Sequence, residues 1–294
     1  MTIAERVFFV GGTGNIGSAA VKTLLKKGVP VTLYARHGPK AQKQFDNNPK
    51  LTVVEGDVND FNLYEKSIVG HTRLFLLVGD LDNLAKIKVP MAEKAYAAGV
   101  KQVVDVSAYD ITLSMRSSYL GRVHLECEEG ILKIPNRKAY VALRPTKFMS
   151  NNLSFSGIGI KEEDTFSDTN PPDAEQTWIS TEDIGTVAGN ILTDPVELHG
   201  NHAVYDLIGD VVTPNERAAL LTYALGRPIT YKRITPKEKL DMFIKIGFPF
   251  ALAYDVLYEP QAAGNRVTPG LSILLGRPPQ TLKQWLEENK TRFK

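Results

Sequence analysis

Gly11-Gly12-Thr13-Gly14-Asn15-Ile16-Gly17 follows a short apolar run at residues 6–10. It precedes residues 18–27, where Ala20, Val21, Leu24 and Leu25 recur at helical spacing before the stop at Gly28. Gly11, Gly14 and Gly17 spell GxxGxxG, and Gly12, Gly14 and Gly17 also satisfy GxGxxG. Glycine is needed where a chain turns sharply and where a phosphate must approach the backbone. A third glycine lets the following helix lie close to the strand. That helix offers free N–H groups and a partial positive charge at its start. In a chain with 23 glycines such a spacing arises by chance. Its place after a strand, at the opening of an amphipathic helix, makes it a dinucleotide fingerprint.

Outward from this turn, strands and helices alternate. Strands are expected at residues 29–35, 51–55, 73–78, 100–106 and 138–143, and helices at 84–98 and 119–132. Near-continuous apolar strands separated by helices predict a doubly wound (Rossmann) α/β parallel sheet, covered on both faces. After Arg144-Pro145 the rhythm changes. Residues 151–173 read as a long polar loop, 181–193 and 214–225 as helices, and 203–207 and 229–233 as strands, with helical stretches to the end. The expected division is therefore a nucleotide domain at 1–150 and a smaller C-terminal α+β substrate or lid region at 151–294, packed on the first.

The composition is that of a globular protein, with 43% hydrophobic and 23% charged residues. A net charge of +2 gives no reason to expect nucleic acid as a direct partner. Cys127 is the only cysteine, which excludes an internal disulfide and a cysteine metal site. His199 and His202 are the one close histidine pair, and two ligands make no zinc site, so no metal is expected. No apolar run approaches the roughly 18 residues of a membrane helix, and the N-terminus lacks a signal-peptide pattern. The expectation is a soluble cytoplasmic protein with no membrane partner.

The choice between NAD and NADP turns on the end of the second strand. An NAD site usually carries an acid there for the ribose hydroxyls. Residues 18–45 contain no Asp or Glu, and Arg36 follows the strand with His37 and Lys40 close by. A guanidinium grips a 2′-phosphate with charge-assisted bonds, so NADP(H) is the expected cofactor. The competing reading of Arg36 is a solvated loop charge. Asp57, in Val54-Glu55-Gly56-Asp57-Val58, suits either a hydrogen bond to the adenine amino group or a turn before a helix.

Several further motifs stand in order along the chain: Gly56-Asp57-Val58, His124-Leu125-Glu126-Cys127-Glu128, and Leu143-Arg144-Pro145 with Phe148 and Asn151. Trp178-Ile179-Ser180-Thr181-Glu182-Asp183-Ile184-Gly185 and Leu225-Gly226-Arg227-Pro228-Ile229-Thr230-Tyr231 follow. With the glycine turn, the chain resembles the NmrA-like atypical short-chain dehydrogenases over nearly its whole length. That group includes NADP-binding redox sensors, NADPH:quinone oxidoreductases and triphenylmethane-dye reductases. The resemblance implies that Thr13, Asn15 and Ile16 line the pyrophosphate turn, and that Arg36 meets the 2′-phosphate. Asp57 and Val58 would flank the adenine, and Leu77, Val78 and Gly79 would pass beneath the cofactor. Ser107 to Tyr109 would approach the nicotinamide, walled on its other side by Pro145, Thr146 and Phe148.

The departure is equally informative. Short-chain dehydrogenases ordinarily use Tyr-x-x-x-Lys, but Tyr119 is followed at that spacing by Val123, and no lysine occurs from 102 to 132. Tyr119 then reads as a surface or packing residue. Without that pair, protonation of a carbonyl oxygen as hydride arrives lacks its usual donor. Tyr109 and His124 are the candidate proton donors, His124 by titrating near neutral pH. Each is set against a structural reading, a packed loop tyrosine and a hydrogen-bonded helix histidine. Cys127 lies between glutamates, which disfavours a thiolate. The apolar residues 243–254 suit core or dimer packing, or a substrate pocket in which Phe148, Trp178 and Phe248 wall a flat aromatic molecule.

The function expected is an NADPH-dependent oxidoreductase that passes hydride to a small apolar conjugated acceptor such as a quinone, enone or imine, in one version a tailoring enzyme of secondary metabolism. The alternative is a non-catalytic NADP(H)-binding redox sensor acting through a regulatory protein partner. Self-association as a homodimer is compatible with either.

Overall fold

A computed structural model describes residues 5–112, 118–154, 156–257 and 269–293. The chain divides into two compact units. The first takes in the described residues up to 111, residues 121–145 and residues 181–206.

Its strands are β1 (Val7–Val10), β2 (Val31–Ala35), β3 (Leu51–Glu55), β4 (Arg73–Leu76), β5 (Gln102–Val106) and β6 (Ala139–Pro145). β7 (Lys147–Phe148), β8 (Thr165–Asp168) and β9 (Gln176–Ile179) belong to the second unit, and β10 (His202–Leu207) completes the first sheet. Its order is β10-β6-β5-β4-β1-β2-β3. The pairings among β1 to β6 are parallel. Every residue of β1, β2, β4 and β5 is buried, as expected for a parallel sheet with helices on both faces. Strand order reverses between β1 and β4, and in such sheets ligands bind beyond the carboxyl ends of the strands at that point.

The helices of this unit are α1 (Asn15–Lys26), α2 (Gly38–Gln44), α3 (Phe61–Ile68), α4 (Leu84–Ala97) and α5 (Tyr119–Leu132). α6 (Asn151–Ser154) and α7 (Gly157–Glu162) lie in the second unit, and α8 (Thr181–Ile191) returns to the first. α8 packs along α1 through two glycines one turn apart. A Cβ on Gly185 would stand 2.5 Å from the Ala19 methyl and from the Ile16 carbonyl oxygen. A Cβ on Gly189 would stand 2.7 Å from Cγ2 of Thr23. Only hydrogen at these two positions lets the axes approach so closely.

The second unit holds the described residues among 112–120, 146–180 and those from 207 onward. β11 (Asp210–Val212) and β7 flank β9, antiparallel and parallel respectively, and β12 (Thr230–Arg233) pairs with β8. α9 (Pro214–Leu225) and α10 (Pro236–Lys245) precede α11 (Phe250–Asp255), α12 (Pro269–Leu275) and α13 (Leu282–Asn289). Capping boxes at Thr213/Glu216, Thr235/Glu238 and Thr281/Gln284 start α9, α10 and α13. The core gathers Met149, Ile160, Phe166, Trp178, Leu221, Trp285 and Phe293.

Three expectations need correction. The single cut after residue 150 is replaced by a break at Pro145/Thr146 and a return of residues 181–206 to the first unit. Those residues go back because β10 extends the main sheet and α8 needs the groove of α1. The loop expected at 151–173 contains α6, α7 and β8, where Ile160 and Phe166 supply enough apolar surface to join the core. Finally, of the readings of the apolar stretch 243–254, core packing holds for little of it: Ala253 is buried and Phe243 packs on Phe248, but Ile244, Ile246, Phe250 and Tyr254 are exposed. Among the described residues no helix is long and apolar enough to cross a membrane.

Gly185→Val forces a branched side chain into the α1–α8 contact. Urea denaturation should show a loss of about 2–3 kcal/mol, as for overpacking in a tight interior. A loss under about 0.5 kcal/mol, the range of an ordinary surface change, would contradict the packing described.

Candidate functional site

The glycine turn caps β1 at the reversal of strand order. Each glycine in it answers a different constraint. Gly11 has φ +83°, and a Cβ there would sit 2.2 Å from the Leu77 carbonyl oxygen in the loop after β4. The Leu77 N–H in turn donates to the Val10 carbonyl at 3.1 Å. A Cβ on Gly12 would stand 2.3 Å from Cδ1 of Leu33, and one on Gly17 would stand 2.2 Å from the Gly11 carbonyl. Backbone atoms therefore require glycine at 11 and 17, whereas at 12 the tip of the Leu33 side chain would have to shift.

Gly14 is different. A Cβ there would meet nothing nearer than the Gly11 carbonyl at 3.9 Å, and its φ of −78° is open to any residue. Nothing inside the protein demands glycine at this position. Gly14 is also the residue before α1, which has no side-chain cap and no acid in its first turn. Thr13, Gly14 and Asn15 are exposed. An uncapped helix start beside an exposed, side-chain-free cradle suits the pyrophosphate of a dinucleotide.

Around this cradle, Ile16 and Val78 are buried, Leu77 is half-buried, and Gly79 is exposed with open space where a side chain would be. Arg36 and Lys40 are exposed beyond β2, and Arg36 forms no ion pair among the described residues. Asp57 Oδ1 accepts the backbone N–H and side-chain amide of Asn59 at 2.9 and 2.8 Å, which is the turn role weighed from the sequence. The Tyr34 hydroxyl donates to the Asp57 carbonyl at 3.0 Å, and Val58 is half-buried beside it. The sequence reading missed Glu55. Its Oε2 accepts the Gly38 N–H at 2.7 Å, so the region free of acids in sequence is not free of acids in space.

Below the carboxyl ends of β5 and β6 lies a network of buried charge. Lys88 on α4 pairs with Asp105 at 2.7 Å, both side chains fully buried, and donates to the Val106 carbonyl at 2.8 Å. The Tyr140 hydroxyl donates to the other Asp105 oxygen at 3.0 Å. Leu84, Ile87, Lys88, Met91 and Ala95 share the buried face of α4, and a lysine on that apolar stripe was the legible signal. Glu128 is held by Arg144 through two bonds of 3.0 and 2.6 Å. It also accepts the Ser107 hydroxyl at 2.6 Å. A serine hydroxyl has one proton, so Ser107, committed to Glu128, presents only lone pairs to anything else.

The two proton-donor candidates fare differently. His124 is buried, its Nδ1 has no hydrogen-bond partner among the described residues, and burial holds its pKa down at about 3. It stays neutral and does not titrate near pH 7, which corrects that expectation. Tyr109 begins a 3₁₀ turn (Tyr109–Thr112) after β5 and is half-buried. Burial pushes the Cys127 thiol up to about 12, so the thiolate is inaccessible at neutral pH.

Among the remaining residues, Pro145 ends β6 in the first unit, buried, whereas Thr146 and half-buried Phe148 belong to the second. Trp178, expected on a pocket wall, is instead 1% exposed in the core of the second unit, its ring 5.1 Å from the Arg217 guanidinium and 4.8 Å from Lys147 Nζ. The reason is its place on the central strand of β11-β9-β7. Phe248, half-buried against Phe243, also lies in the second unit. A surface groove lined by Lys101, Arg137, Lys138 and Glu197 opens at the amino ends of β5 and β6, at the opposite end of the sheet from the glycine turn.

The family model described as the NmrA-like family matches residues 4–282. An NAD(P)H azoreductase of Xenophilus azovorans is 26% identical, over 98% of this chain and 99% of its own length. The crystal structure of an NADPH-dependent quinone oxidoreductase from Escherichia coli, complexed with NADPH, superposes with a TM-score of 0.79 at 23% identity, covering 96% of this chain and 99% of that one. NmrA, described as a negative transcriptional regulator and solved with NADP, superposes with a TM-score of 0.75 at 16% identity, covering 98% and 95%.

The neutral, buried His124 makes stability depend on pH. In the unfolded chain the imidazole returns to its ordinary pKa near 6.5. Between that value and about 3 the unfolded state binds a proton that the folded state excludes. Stability from this group is complete above pH 6.5 and is lost as pH falls. Between pH 7 and 4.5, urea unfolding of the wild type should lose about 2 kcal/mol more than His124→Gln. Parallel pH profiles for the two proteins would contradict the assignment.

Proposed function

We propose that this chain, which belongs to the NmrA-like family, is an NADP(H)-binding reductase of small conjugated acceptors such as quinones, enones and imines. The observation that carries the reading is Gly14. It is a glycine that packing does not require, placed at the uncapped start of α1 where strand order reverses. The azoreductase relative supports the same class of chemistry.

When bound, the reduced nicotinamide supplies the hydride. The chain's own residues bind and orient. Amides at the start of α1 take the pyrophosphate, Gly79 leaves room beside it, and Arg36 attracts the 2′-phosphate. Ser107, fixed as an acceptor by Glu128 and Arg144, suits a carboxamide N–H rather than an oxygen awaiting a proton. With His124 neutral and no Tyr-x-x-x-Lys pair, proton delivery falls to Tyr109 or to solvent. Such a site favours acceptors that accommodate the hydride themselves: iminium ions need no proton, and quinones and enones leave a stabilised anion for Tyr109 or water to protonate. The same scarcity of donors favours a second reading, a redox sensor that binds the cofactor without turnover.

The purified protein should consume NADPH in the presence of at least one quinone, enone or iminium compound, followed by absorbance of the reduced cofactor. Tight binding with no turnover on any of them would sink the reductase reading in favour of the sensor. If Tyr109 delivers the proton, Tyr109→Phe lowers kcat on quinones by about a hundredfold and leaves iminium reduction unchanged. Equal effects on both acceptors would remove Tyr109 from that role.

A further inference from the structure

On the cofactor reading above, residues at the carboxyl end of β2 face the ribose that distinguishes NADP from NAD. We propose that Glu55, seated on the Gly38 amide beside Arg36, opposes the 2′-phosphate and makes the chain a user of both NADPH and NADH. The inference rests on that cofactor reading and concerns only its selectivity.

The geometry comes from the register of the sheet. Ala35, the last residue of β2, lies opposite Glu55, the last residue of β3. Arg36 is the next residue along, and two positions later the Gly38 N–H donates to Glu55 Oε2 at 2.7 Å. The carboxylate fits there because residue 38 has no side chain. A Cβ on Gly38 would stand 2.8 Å from that oxygen. Among the described residues Glu55 forms no ion pair, and neither does Arg36. Both are exposed.

Two opposite charges thus share the surface that a ribose 2′-substituent meets. Arg36 attracts a phosphate and Glu55 repels it. A carboxylate can also accept a hydrogen bond from a free 2′-hydroxyl, the role that an acid on β2 plays in NAD sites. Here the acid comes from the adjacent strand, so a search along β2 alone does not find it. Each charge acts over several ångströms at a solvated surface, where single charges change binding about two- to fivefold. Neither overrides the other, which is why both cofactors are accepted.

NADPH and NADH are titrated onto the full-length wild type, Glu55→Gln, Gly38→Ala and Arg36→Ala, each followed by fluorescence of the reduced nicotinamide. The wild type binds both with affinities within about tenfold of each other. Glu55→Gln shifts the ratio toward NADPH by about two- to fivefold. Gly38→Ala, which keeps the acid but pushes it off the amide, shifts it in the same direction by a smaller factor. Arg36→Ala shifts it toward NADH. An unchanged ratio in both Glu55→Gln and Gly38→Ala overturns the inference while leaving the cofactor reading intact. So does a wild type that rejects NADH. A wild type that binds neither dinucleotide overturns both.

Discussion

The backbone of Gly17 presses on the carbonyl of Gly11, closer than any side chain would permit. The first unit is organised around this approach. It brings the start of α1 onto the end of β1, and Gly11 itself is pinned against the Leu77 carbonyl where the sheet changes direction. α1 is then held from the far side by the glycine face of α8, a helix more than 160 residues away in sequence. The turn is rigid because protein atoms touch it on several sides. Gly14 is the exposed glycine of this turn, and no protein atom accounts for its missing side chain.

Charge within this unit is arranged to be silent. Lys88 and Asp105 neutralise one another in complete burial, and Tyr140 satisfies the remaining carboxylate oxygen. Glu128 and Arg144 do the same nearer the ends of the strands, and use Ser107 to complete the set. Such pairs are costly to break, since removing one partner strands a buried charge. Neutral His124 and protonated Cys127 extend the same character. On the proposed function, such a site would orient and shield a hydride transfer and leave protonation to Tyr109 or to water.

Much of this was legible in the order of residues. The parallel sheet followed from near-continuous apolar strands, and α5 and β3 fall at the residues their periodicity predicts. The close packing expected from the third glycine is present at Gly17, which lies against the Gly11 carbonyl. What escaped was spatial. The return of residues 181–206 to the first unit is a matter of helix faces meeting, invisible until α8 is laid on α1. Glu55 lay in plain view in the sequence, but its effect depends on strand register. Counting acids along one strand therefore missed the one supplied by the next. Trp178 was read as a wall for a flat aromatic molecule, whereas its place on the central strand buries it in the core.

The central claim is that Gly14 is kept for a dinucleotide and the other glycines for the fold. Gly14→Val tests it most directly, with urea stability and NADPH affinity measured on the same protein. The backbone at this position admits a branched residue and the space is open. Stability should change by no more than about 1 kcal/mol, the difference between good and poor helix caps. Affinity should fall by about a hundredfold or more, as a side chain displaces the phosphates from the amides. A variant that binds NADPH as the wild type does, or that unfolds instead of losing the ligand, would contradict the account.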